Sequence, residues 1–248
     1  MKSMEKYDLK ISGNMQVAGG SFKDVLISGV GILTTDVECD FFKISGSAET
    51  KGNVLSKRGK VSGKTDIEGN LISEEFEVFG KMNVNGSGQI KEMKVEGTSA
   101  FKGSLSTEKL NVKGSIEVGK DCNAEEFKSR GNFQIGGLLN AENIDMQLHW
   151  RSKAKEIGGE TIVVKRGRGS SLKKILKALF LPAEFLEGTL TADTIEGDTI
   201  HLEYTKAKVV RGQKVYIGTG CEIELVEYTD HFEESADAIV RETRKQAE

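Results

Sequence analysis

A glycine returns every seventeen residues through the first half of this chain. It stands at Gly13, Gly29, Gly46, Gly63, Gly80, Gly97, Gly114 and Gly131, the first interval being sixteen residues and the next six seventeen. Two residues before each glycine sits Ile11, Ile27, Ile44, Val61, Val78, Val95 or Val112, and then, breaking the rule, Ser129. A fixed period of this length means one short unit wound repeatedly, not a single globular core.

Further columns appear when the units are stacked. Val17, Leu33, Thr50, Ile67, Val84, Phe101, Val118 and Ile135 follow six positions after the first apolar column, and Gly19, Gly52, Gly69, Gly86, Gly103 and Gly137 follow those. Phe42, Phe76, Met93, Leu110, Phe127 and Ile144 close the unit. The apolar positions lie mostly at even steps, the period of strands. Each unit offers three short strands with no partner for their inner face until another unit stacks on it. The fold class expected is therefore all-β, a parallel β-helix of about 17-residue coils. Eight such coils at about 4.8 Å each make a rod roughly 40 Å long. Glycine at 29 residues against a single proline suits this architecture, with left-handed glycine backbone expected at the corners.

The boundaries follow the columns. Residues 1–10 read as an N-terminal tail and 11–165 as coils, with the register fading after Ile144. Residues 166–185 read as a basic helical insertion: Leu172, Ile175, Leu176 and Leu179 lie at helical spacing, Lys173, Lys174 and Lys177 take the other face, and Pro182 stops the helix. Residues 186–228 read as about three more coils with longer corners. Residues 229–248 read as a C-terminal helix, with Phe232, Ala236, Ile239 and Thr243 at helical spacing and Asp230 as N-cap.

Charge is uneven. Residues 151–181 hold 9 basic and 2 acidic residues, and 182–248 hold 7 and 15. The basic stretch admits a solvated loop with a docked helix, or a cationic amphipathic helix lying on an anionic membrane surface. Leu172, Lys173, Ile175, Leu176, Lys177, Leu179 and Phe180 are the residues that would make that membrane or partner contact. Nucleic acid is not expected as a partner, since the basic run has no interleaved aromatics. The N-terminus has no apolar signal region and no apolar run reaches bilayer length, so the chain reads as cytoplasmic, with membrane association through the insertion.

No catalytic set is apparent. Cys39, Cys122 and Cys221 lie far apart without metal or disulfide spacing and read as small core residues. Gly59 to Thr65 imitates a phosphate-binding loop but has three residues between its glycines where four are needed. Ile217–Ile223 imitates a hexapeptide-repeat acyltransferase, whose coils are built from units of six, not seventeen. Asp193, Glu196 and Asp198 are close in sequence and read as a solvated corner. No cofactor and no metal are expected.

The iterated [IV]-x-G units of 27–131 with their second glycine column, and the run Ile195–Tyr228, resemble the bactofilins, polymer-forming cytoskeletal proteins of bacteria, particularly the longer Firmicute members. The resemblance implies a right-handed, triangular β-helix that assembles end to end into nonpolar filaments without nucleotide. It also implies a scaffold, not an enzyme, that organises cell-shape, cell-wall or motility machinery at the membrane. Partners would be further copies of the chain or a paralogue, with cell-envelope or motility proteins. The residues expected at the polymer interface are Ile11, Val17 and Phe22 at one end and Ile223, Leu225 and Tyr228 at the other. Two alternatives stay open: a β-helix enzyme, acyltransferase or carbohydrate-active, and a monomeric module that recruits partners to the membrane.

Overall fold

The computed structural model describes residues 6–167 and 188–247. Every described element is a β-strand and the strands pair in parallel, so the chain is a parallel β-solenoid. It divides into two compact units, Met1–Leu110 with Gly114–Lys120, and Asn111–Lys113 with Asp121–Glu248.

In the first unit the coils repeat in the register that the sequence dictates. Val37, Val54, Leu71 and Gly88 lie one above another, as do Lys64, Lys81, Thr98 and Ser115. In Leu71–Val78 burial alternates, is interrupted by the two outward residues Glu74 and Glu75, and then resumes. That skip bends the strand, so one eight-residue strand supplies two faces of the coil and the four-residue strand Lys81–Val84 supplies the third. The apolar columns close a dry interior: Ile27, Ile44, Val61, Val78 and Val95 are all essentially inaccessible. Each such side chain contributes about 1.5–3 kcal/mol when taken from water.

The glycine ladder has a different cause from the expected one. Among the described glycines only Gly20 (φ 147°) and Gly220 (φ 70°) have positive φ, so left-handed corners do not explain it. The explanation is close approach. At Gly63, N–H groups of Ser62 and Gly63 both donate to the Ile44 carbonyl, and Lys64 N–H donates to the Gly46 carbonyl. The Gly46 oxygen therefore points along the stack into the space where a Cβ of Gly63 would sit, 1.9 Å away. The corresponding distances are 2.1 Å at Gly29, Gly46 and Gly97 and 2.0 Å at Gly80 and Gly114. Only glycine lets successive corners nest this closely.

A polar ladder runs beside it. Asp36 Oδ1 accepts from the Asn53 backbone N–H, Asn53 Oδ1 from that of Asn70, Asn70 Oδ1 from that of Ser87, and Ser87 Oγ from that of Ser104. Each side chain thus satisfies a corner N–H that the strand ladder leaves over.

Inside, volume is exchanged between coils. Gly59 takes the place of a bulky residue between Phe42 and Phe76, and the Phe76 ring fills the space, 2.0 Å from where a Gly59 Cβ would stand. Gly59→Ala is expected to destabilise the fold by about 1–3 kcal/mol through overpacking. Adding Phe76→Leu should recover part of the loss in urea titrations. Equal curves for wild type and Gly59→Ala would contradict this packing.

The second unit is built from longer strands, Asn132–Leu148, Ser152–Arg166, Leu190–Leu202, Thr205–Ile217 and Glu222–Glu234. Here coil lengths vary. Leu139 aligns with Ile157, Ile195 with Val210, and Val210 with Val226, offsets of 18, 15 and 16 residues. The expected longer corners are instead short, such as Glu203–Tyr204, where Tyr204 adopts φ 48°. A second close-approach row nevertheless runs through the strands: a Cβ on Gly159, Gly197 or Gly212 would lie 2.2, 2.4 or 2.6 Å from the carbonyl oxygen of Ala141, Gly159 or Gly197.

The expected C-terminal helix is not formed. Asp230 lies in the strand that continues to Glu234, where it pairs with Lys214, and after a turn Ile239–Lys245 forms another strand. The edge of Glu222–Tyr228 offers unpaired backbone, and Ile239 and Gln246 N–H groups bond to Cys221 and Tyr228 carbonyls at its two ends. A sparse apolar spacing cannot compete with a ready strand edge. The helical insertion expected at 166–185 lies outside the described residues, apart from Arg166 in its strand and Gly167.

Candidate functional site

The reactive side chains are placed as structure. All three cysteines are buried. Burial pushes the Cys39 and Cys122 thiols up to about 12 and Cys221 to about 11, so little reactive thiolate forms near neutral pH. The segment that imitates a phosphate-binding loop is coil interior and corner: Gly59 lies against Phe76, Gly63 belongs to the ladder, and Thr65 is buried. In Ile217–Ile223, Gly220 makes the corner, and Cys221 Sγ donates to the Leu202 carbonyl at 3.3 Å. Of the acidic trio, Asp193 pairs with Lys208 at 2.7 Å, Glu196 with Arg211 at 3.1 Å, and Asp198 accepts from Gln213 at 3.0 Å. Arg211 also holds Glu227 at 2.8 Å, and this hydrogen bond lowers the Glu227 carboxyl from its ordinary value.

The candidate site is instead the first described coil, Leu9–Ile11, Asn14–Val17 and Gly20–Ser21. It pairs with the coil after it, Leu9–Ile11 on Val25–Ile27 and Asn14–Val17 on Val30–Leu33. Among the described residues its other edge has no partner. Met15 occupies an inward column whose later members Ala48, Thr65, Met82 and Ser99 are buried, yet it is 49% exposed. Val17 is half-buried, while Leu33, Thr50, Ile67 and Val84 above it are closed from solvent. Gly13 differs from Gly29 to Gly114 in the same way: a Cβ built on it meets nothing within 4 Å.

Of the expected interface residues, Val17 thus has free surface, whereas Ile11 is buried and Phe22 is covered by Tyr7, ring centroids 5.6 Å apart. Sequence singles out neither Met15 nor Tyr7, and Gly13 only as the first member of the glycine ladder. Met15 could have been found by its place in the inward column. In the second unit, Ile223 is buried, Leu225 and Tyr228 are half-buried, and all three are paired by Val240, Glu242 and Lys245 of the last strand. Leu172, Lys173, Ile175, Leu176, Lys177, Leu179 and Phe180 lie outside the described residues.

Among known proteins, the chain is 56% identical over 238 residues to the Bacillus subtilis (strain 168) protein described as "Uncharacterized protein YhbE", covering 96% of this chain and 97% of that one. The chain belongs to the YhbE family. It is also 41% identical over 97 residues to "Uncharacterized protein YhbF" of the same organism, a match spanning 39% of this chain and 36% of YhbF. No family model matches the chain, and no solved structure matches it. Nearly full-length coverage extends the YhbE relationship over both units of this family member.

Proposed function

We propose that this protein is a bactofilin-like cytoskeletal scaffold, a right-handed β-helix whose copies assemble end to end into filaments without nucleotide, with the first described coil as one contact. The observation that carries this is the unfinished inner column at Met15 and Val17, beside a ladder glycine with empty space where Gly29 to Gly114 each meet a carbonyl. Stacked in register, another coil would bury Met15 and Val17, pair the open strand edge, and give Gly13 the neighbour that makes glycine necessary. An open edge that escaped pairing would be an aggregation hazard, so a matched partner is the economical use of it.

The scaffold would work in the cytoplasm at the membrane, with segment 166–181 as the candidate lipid contact and cell-envelope or motility proteins as clients. Two relatives in one Bacillus subtilis strain fit co-assembly with a paralogue. The acidic trio is held in ion pairs and hydrogen bonds, which favours the scaffold over a hydrolytic enzyme.

Negative-stain electron microscopy of the purified full chain tests this. Filaments should form in buffer alone and be unchanged by added nucleotide. Particles that stay monomeric across salt conditions at high concentration would refute it.

A further inference from the structure

The first unit carries a second feature that end-to-end assembly does not use. Leu55 and Ile72 point outward from adjacent coils, 45% and 42% exposed, in a column that continues as Glu38 below and Gln89 above. Beside them stands a column of strictly alternating charge: Lys23, Asp40, Lys57, Glu74, Lys91 and Glu108. Some neighbours in it pair within the chain, Lys57 with Asp40 at 2.8 Å and Lys91 with Glu108 at 3.7 Å. Internal pairing accounts for alternation, but it does not account for two aliphatic side chains held out in water beside the column.

We infer that this face is a side-by-side contact for a second copy of the chain, lying antiparallel to the first. Place a two-fold axis in the contact plane, along the strands, between the coils of Leu55 and Ile72. The axis reverses the order of coils and keeps each column facing itself. Leu55 of one copy then meets Ile72 of the other, Lys57 meets Glu74, Asp40 meets Lys91, and Lys23 meets Glu108. Every charge in the alternating column finds its opposite. A parallel arrangement would set each charge against its own kind, and an axis through a coil would do the same. Other positions between coils also match the charges, but only this one brings the two apolar side chains together.

The contact is small. Six coils at about 4.8 Å by three residues at about 3.3 Å give roughly 290 Å² on each copy, well under the ~800 Å² of a stable interface. Isolated copies pair weakly, and copies arrayed along a filament pair in concert.

The test uses intact chains and needs no filament. Leu55→Cys and Ile72→Cys proteins are mixed at high concentration under mild oxidant and cross-linked dimer is read on a non-reducing gel; the three native thiols are buried. The mixture should give severalfold more dimer than either variant alone. Lys57→Glu added to both should cut the yield about tenfold, since two pairs become repulsive. Adding Glu74→Lys as well should restore it. Within each chain that double change sets a new carboxylate beside Asp40 and a new ammonium beside Lys91, so internal pairing alone would worsen. No excess in the mixture, or no rescue by the double change, overturns the inference. Microscopy of the same samples separates the two ideas: cross-linking without filaments removes only end-to-end assembly, and single filaments without cross-linking remove only the lateral contact.

Discussion

Gly63→Ala is expected to destabilise the protein by about 3 kcal/mol or more, while Gly13→Ala changes stability by no more than about 0.5 kcal/mol. The two residues occupy the same position of the same repeat. At Gly63 the added carbon would lie 1.9 Å from the Gly46 carbonyl oxygen and 2.5 Å from that of Ser45. Both are backbone atoms, and the Gly46 oxygen already accepts from Lys64 N–H at 2.8 Å. Relief requires the two coils to separate at that corner, which lengthens this bond and those from Ser62 and Gly63 to Ile44. At Gly13 the same carbon meets nothing within 4 Å. Urea titrations of the two variants, under conditions that keep the chains apart, give the comparison. Equal losses would mean that glycine is needed for something other than close approach.

The second large effect concerns assembly. Met15→Glu combined with Val17→Glu should raise the critical concentration for polymer roughly hundredfold or more, because each copy would carry two unpaired charges into the contact. The fold should be little affected, since Met15 is 49% exposed and Val17 only half-buried in the separate chain. Light scattering against concentration reads the shift, and circular dichroism checks that the strands persist. An unchanged critical concentration would remove the first coil from the interface.

Much of the first unit was legible because its coils have constant length. A fixed step of seventeen brings like residues into columns, and alternation within the step marks which columns face inward. What the columns do not reveal is why a residue type recurs. Glycine at a corner reads naturally as backbone freedom, yet at Gly29 to Gly114 the requirement is room for a carbonyl oxygen from the coil below. The ladder from Asp36 through Asn53 and Asn70 has no sequence signal of its own, since its polar residues sit where any solvated corner would have them.

The second unit hid the same devices by changing its step. Gly159, Gly197 and Gly212 form a somewhat looser close-approach row, but offsets of 38 and 15 residues conceal it. The last strand failed for another reason. Ile239–Lys245 is almost entirely exposed, so it has no buried alternation to display, and only the waiting edge of Glu222–Tyr228 makes it a strand. At the candidate site the sequence points to the first coil through Val17, which keeps part of its surface free. It favoured Ile11 and Phe22 as well, because it could not show that the next coil and Tyr7 already cover them.

The most direct measurement is sedimentation velocity of wild type and Gly13→Leu over a range of concentrations. The leucine has open space in the separate chain, so both proteins should give the same unfolding curve under dissociating conditions. If the first coil is where copies join, wild type sediments as a growing, open-ended series and Gly13→Leu remains small. If both sediment alike, as monomers or as polymers, assembly through this coil is contradicted.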